Sequence, residues 1–191
     1  MFARTIRPAV SLLVAMTILL GIVYPVVITG IAKFAFARQA EGSLIREDGR
    51  LVGSTLIGQS FSDPKYFWGR PSATTPQPYN GAGSTGSNLG PLNPALLDAV
   101  KGSAKALRDA DPGNRQRIPV DLVTASASGL DPQISIAGAE YQASRVARAR
   151  NLPIGRVEAL IQAHQEEPFL GLIGEPRVNV LELNLALDRM H

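Results

Sequence analysis

The 191-residue sequence has no cysteine, two histidines and a single tryptophan, and aromatic residues make up only 6% of it. Without cysteine there are no disulfides, no thiolate chemistry and little scope for a structural zinc site. The histidines, His164 and His191, are far apart in sequence, and no nucleophile is tied to either by spacing. His164 beside Glu166 and Glu167 invites a base-and-acid reading. A cation near a helix C-terminus is the simpler expectation. No phosphate-binding P-loop segment and no metal-ligand spacing occur.

An excess of one charge is also lacking where it would matter. The net charge is +3, but residues 1–38 carry Arg4, Arg7, Lys33 and Arg38 with no acid, a balance of +4. Residues 39–191 hold 15 basic against 16 acidic side chains, a balance of −1. The basicity therefore flanks one segment and suits lipid headgroups, and nucleic acid is excluded as a partner of the remainder.

That segment is Pro8–Ala32, 25 residues without a charge. As a helix it covers roughly 37 Å, enough to cross a hydrocarbon core of about 30 Å. The expected organisation is a basic tail (1–7), a transmembrane helix (8–32), a juxtamembrane linker (33–42) and one mixed α+β soluble domain (43–191). Positive charges lie on both sides of the span. The short basic tail before a first apolar segment and the acids Glu41, Glu47 and Asp48 behind it favour a cytoplasmic N-terminus and an extracytoplasmic domain. Ala35-Phe36-Ala37 fits a signal-peptidase site, but the apolar stretch is about twice the usual 7–15 residues, which favours an anchor. Pro25 should kink the helix, and Gly21, Thr29 and Gly30 would let a partner helix approach closely.

In the domain, Asp48-Gly49 between Leu44-Ile45 and Leu51-Val52 predicts a hairpin with a type I′ turn. Phe61, Tyr66, Phe67 and Trp68 follow as core or as a wall against a partner. Residues 69–94 are rich in Gly, Pro, Ser, Thr and Asn and read as a long loop of the functional or disordered kind. Asn93-Pro94 starts a helix to about Ala110. Ile118–Thr124 reads as a short strand. Ser135 caps a helix through about Arg150, a second helix runs from Ile154 to Gln165, and a strand at Val178–Leu181 precedes a helix at Leu183–Asp188. Arg145, Arg148, Arg150 and Arg156 read as a solvated basic face. Gly81-Ala82-Gly83-Ser84-Thr85-Gly86 matches G-x-G-x-x-G, but prolines precede it and no helix opens on it, so a dinucleotide site is not expected.

Several segments together resemble one family. Leu56-Ile57-Gly58-Gln59, Phe67-Trp68-Gly69-Arg70-Pro71-Ser72-Ala73 and Gly86-Ser87-Asn88-Leu89-Gly90-Pro91 come first. Thr124–Pro132, Gly174–Leu181 and Leu183-Asn184 continue the match in order. They are similar to the C subunits of the bacterial Kdp potassium-transporting ATPase, with Gln133 where His is expected. The resemblance implies a non-catalytic subunit in the bacterial inner membrane. Its partners would be a channel-like potassium-binding subunit, a P-type ATPase pump subunit and a small single-span subunit. It implies a role in assembly and as a catalytic chaperone that raises the pump's affinity for ATP. It also implies a nucleotide-associated stretch at Ser87, Asn88, Leu89 and Gly90, with ATP bound only jointly with the pump subunit. Docking residues expected on this basis are Gly21, Pro25 and Gly30 in the span and Phe67, Trp68 and Arg70 in the domain. The alternative is a membrane-anchored nucleotide-binding regulator that uses the Gly-rich loop on the cytoplasmic side.

Overall fold

A run of apolar residues with no polar face has no side to turn toward water, and here it forms one long helix with none of its most apolar window buried. The computed structural model describes residues 2–168, 170–171 and 173–190, in two units, residues 1–44 and 45–191. The first unit contains α1 (Phe2–Ile18), a π-helical turn (Leu19–Val23), α2 (Tyr24–Ala35) and a short α3 (Ala37–Ala40). Arg4–Ala35 is long and apolar enough to cross a membrane, with a mean hydropathy of 2.5 in its most apolar window and none of that window buried. The helix runs past the apolar stretch at both ends. Arg4 and Arg7 stand on its first turns and Lys33 on its last.

The second unit is α+β. β1 (Leu44–Glu47) and β2 (Arg50–Ser54) form the hairpin, and Asp48 (φ 48°) and Gly49 (φ 78°) supply the two left-handed residues that a type I′ turn needs. After a long irregular stretch, α4 (Pro94–Ala110) begins where the Asn93 side chain accepts the Ala95 N–H at 3.0 Å. A three-stranded antiparallel sheet follows, ordered β3 (Gln133–Ser135), β5 (Arg177–Asn179), β4 (Gln165–Glu166). Ile134 lies opposite Val178, and Gln165 pairs with Val178 from the other side. α5 (Ile136–Arg150), α6 (Ile154–Ala163) and α7 (Val180–Asp188) complete the unit. The core gathers Ile134, Ala139, Val146, Val157, Ile161, Val178, Leu183 and Leu187, all at or below 2% exposure, with Phe67 at 0%.

Three expectations need correction. Ile118–Thr124 is not a strand: Val120–Leu122 is a 3₁₀ turn, closed where the Thr124 hydroxyl donates to the Val120 carbonyl at 2.7 Å. Pro119, which has no ladder donor, precedes it. The last strand stops at Asn179 because its side chain accepts the N–H groups of Leu181 and Glu182 and starts α7 three residues before the expected helix. Finally, the arginines of α5 are not one solvated face. Arg145 is 4% exposed, and both it and Arg150 point inward onto backbone carbonyls. His164 does lie at the C-terminal end of α6, its Nδ1 3.0 Å from the Leu160 carbonyl, whereas His191 lies outside the described residues.

Candidate docking surface

Residues 55–93 have no helix and hardly any strand, so their backbone groups need partners from elsewhere. Side chains of α5 and α7 provide them. Asn184 of α7 accepts the Phe67 N–H at 2.8 Å and donates to the Phe67 carbonyl at 3.0 Å. Gln142 of α5 does the same for Trp68, at 2.8 and 3.1 Å. Each side-chain amide thus pairs with a residue as a neighbouring strand would. Asn179 extends the pattern by donating to the Thr55 carbonyl at 2.8 Å.

Arg145 completes the clamp. It donates to the carbonyls of Pro64 and Tyr66 and to Gln142 Oε1, and its guanidinium lies 4.5 Å from the centroid of the Trp68 ring. Burial pulls its pKa down to about 10, so it remains a cation near neutral pH. Arg150 donates to the Lys65 carbonyl at 2.7 Å and to Asp188 at 2.7 Å, and it stacks on Tyr66 at 4.9 Å. The aromatic strip is therefore fastened to the two helices by guanidinium and amide groups.

The Gly-rich loop is held just as closely. Tyr79 is its pin: its N–H donates to Ser72 Oγ at 2.9 Å and its hydroxyl to the Arg70 carbonyl at 2.6 Å. The side chain rests where Gly58 and Gly69 have none, since a Cβ there would come within 2.4 Å of its ring and 2.7 Å of its hydroxyl respectively. Burial, followed by the Asp131 charge, pushes the phenol up to about 12. Ser72 Oγ donates to the Gly129 carbonyl at 2.7 Å, and the Thr85 N–H bonds the Ser128 carbonyl at 3.0 Å.

Of the expected docking residues, Phe67 is wholly buried. It is a core residue and no partner can touch it in this conformation. Trp68 is half-buried under Arg145. Arg70 pairs with Asp131 at 3.1 Å and stands between two recesses. One, of about 240 Å³, also includes Asp121, Gln133 and Glu175, and the other, of about 320 Å³, includes Phe61, Tyr79 and Leu107. Gly21 and Gly30 are exposed in the span with nothing within 4 Å of a would-be Cβ, and Pro25 is the second residue of α2, just behind the π-helical turn.

Ser87, Asn88 and Gly90 are exposed and Leu89 is half-buried. A phosphate cradle needs convergent free N–H groups. In the preceding G-x-G-x-x-G stretch, those of Ala82, Gly83 and Thr85 already bond Asn80 Oδ1, the Asn80 carbonyl and the Ser128 carbonyl. α4 begins only at Pro94. Among the described residues, no group of three His, Cys, Asp or Glu side chains is placed to hold a metal ion.

The family model described as KdpC, K+-transporting ATPase, c chain, matches residues 6–189. The chain belongs to this family. It is 63% identical over 185 residues to the potassium-transporting ATPase KdpC subunit of Polaromonas naphthalenivorans, covering 97% of this chain and 94% of that one. It is 59% identical over 187 residues to the subunit of the same name from Herminiimonas arsenicoxydans, covering 98% of each. The family likeness thus takes in the span, the clamp and the pinned loop alike. Sequence reasoning missed Gln142, Asn184 and Tyr79. The first two stood in view as polar residues on apolar helix stripes, between Ala139 and Val146 and between Val180 and Leu187.

Proposed function

We propose that this chain is an accessory subunit of a potassium-transporting P-type ATPase complex, anchored by its span and without catalytic chemistry of its own. The observation that carries the reading is the use made of the domain's buried polar groups. Gln142, Asn184, Asn179 and Arg145 all bind this chain's own backbone and fasten an irregular surface to a helical core. That is the construction of a rigid contact surface, which suits a scaffold more than an enzyme. The surface joins the channel-like potassium-binding subunit and the pump subunit, and the exposed span packs among their helices and those of the small single-span subunit.

The domain lies outside the cytoplasmic membrane and the N-terminus inside. On that side the chain meets no cytosolic ATP, so a chaperone effect on the pump's affinity for ATP passes through the assembled complex. A tagged chain purified from membranes should bring these partners with it, and a chain that emerges alone overturns the proposal. Lys101, exposed on α4, tests the topology. Lys101→Cys should react with an impermeant thiol reagent added outside intact cells. Reaction only after the membrane is opened would place the domain inside and revive the nucleotide-binding alternative.

A further inference from the structure

The middle of the span has a hydrogen-bonding deficit. The Tyr24 N–H bonds the Leu19 carbonyl, five residues back, which is the π-helical register. The next donor would serve Leu20 in that register or Gly21 in the α register. The next residue is Pro25, which has no N–H. Pro25 thus leaves the Leu20 carbonyl without its π-register donor and the Gly21 carbonyl without its α-register donor.

The chain cannot repair this deficit itself. A side-chain hydroxyl that back-bonds a helical carbonyl comes from three or four residues further on. For Leu20 and Gly21 those positions are Val23, Tyr24 and Pro25. Only Tyr24 has a hydroxyl, and its rigid ring holds that group away from its own preceding turn. Water is scarce too, because residue 20 is the midpoint of the uncharged stretch 8–32 and so lies near the centre of the hydrocarbon. Gly21 leaves the approach open: it has no side chain, and nothing lies within 4 Å of where a Cβ would be.

We propose that the Gly21 carbonyl, with that of Leu20 beside it, is the docking acceptor for a hydroxyl or carboxamide side chain (Ser, Thr, Asn or Gln) on a membrane helix of a partner subunit. The inference rests on the reading of this chain as a subunit of a membrane complex, and it adds the chemistry of the contact. The π turn and Pro25 present the acceptor, and Gly21 lets the partner helix reach it. An acceptor pair in an otherwise apolar strip has one complement, a donor delivered in the same plane of the membrane.

The sequence offers a direct readout, because Gly-Ile occurs only at Gly21-Ile22 and Gly30-Ile31. Full-length chain labelled with carbonyl-¹³C glycine and ¹⁵N isoleucine therefore yields two paired signals. Gly30, inside α2, serves as the internal reference. On assembly with unlabelled partners, the Gly21 carbonyl resonance should move downfield toward that of Gly30 while Gly30 stays. A Gly21 resonance unchanged in the assembled complex, or already downfield in the chain alone in micelles, overturns the proposal; the latter would mean that water or detergent serves the carbonyl. Failure of the unmodified chain to assemble would instead overturn the subunit reading.

A variant pair gives a second measure. Tyr24→Ser keeps Pro25 but places a hydroxyl where it can satisfy the carbonyls from within, and Tyr24→Ala is its control. Co-purified partners should fall roughly fivefold or more for Ser relative to Ala, the scale expected for one interhelical hydrogen bond. Equal recovery counts against the proposal. If both variants lose the partners, the carbonyl resonance decides alone.

Discussion

Irregular backbone occurs in both units of this molecule and is handled in opposite ways. In the domain, the stretch 55–70 departs from regular structure, and side chains of α5 and α7, with Asn179 of β5, meet its backbone groups at Thr55, Tyr66, Phe67 and Trp68. In the span, the π turn and Pro25 also depart from regular structure, and the side chains three and four residues on, Val23, Tyr24 and Pro25, do not meet the freed carbonyls. The first arrangement makes a surface that is finished before any partner arrives. The second makes a helix that is complete only in company. A subunit that must be rigid outside the membrane and selective within it needs both.

The largest effect should come from undoing the domain's self-sufficiency. Asn184→Ala leaves both the N–H and the carbonyl of Phe67 buried without partners, at a cost of about 1–3 kcal/mol for each group orphaned and about 3 kcal/mol in all. Thermal unfolding of the full chain in micelles, followed by circular dichroism, should show this as a clear drop in midpoint. A change below about 1 kcal/mol would mean that water readily replaces the amide and that the clamp is not rigid.

A middle-sized effect is alkaline. The Tyr79 phenol titrates near 10 when unfolded and is pushed up to about 12 when folded. Between those values the folded chain holds a proton that the unfolded chain loses. Its contribution is thus complete below pH 10 and is lost as pH rises toward 12, up to roughly 2 kcal/mol. Arg145, pulled down to about 10, works in the opposite direction over the same window. The difference between wild type and Tyr79→Phe therefore isolates the phenol: the variant should lack the loss between pH 10 and 12, beyond a constant offset at lower pH.

The smallest effect sharpens the comparison from the other side. The hydroxyl of Tyr141 is buried with no partner among the described residues. Tyr141→Phe should cost nothing and can gain up to about 1 kcal/mol, because it removes a group that lost its water without replacement. A clear loss would reveal that this hydroxyl, too, has an essential partner.

Local signals in the sequence carried most of the regular structure. Asp48-Gly49 set the hairpin, Asn93-Pro94 the start of α4 and Ser135 the start of α5, each by chemistry within four residues. The clamp was less legible because its bonds span 74 and 117 positions, and a sequence window holds only one end of each. Arg145 shows the limit well. Three to eleven residues from other arginines, it reads as part of a charged face, and only the distant Pro64–Trp68 segment turns it inward. Pro25 signals an irregularity in the span, expected as a kink, but the π register on its N-terminal side is not encoded by any one residue.

The Asn184 clamp also imposes an order of events on synthesis. Phe67 leaves the ribosome 117 residues before the side chain that will hold it. At about 5–20 residues per second, roughly 6–23 s pass between the two. Early in that interval the span is already made, and the aromatic strip has neither α5 nor α7 to fold onto. The nascent chain therefore waits, tethered by α1 and α2, until its final helix arrives to close the domain.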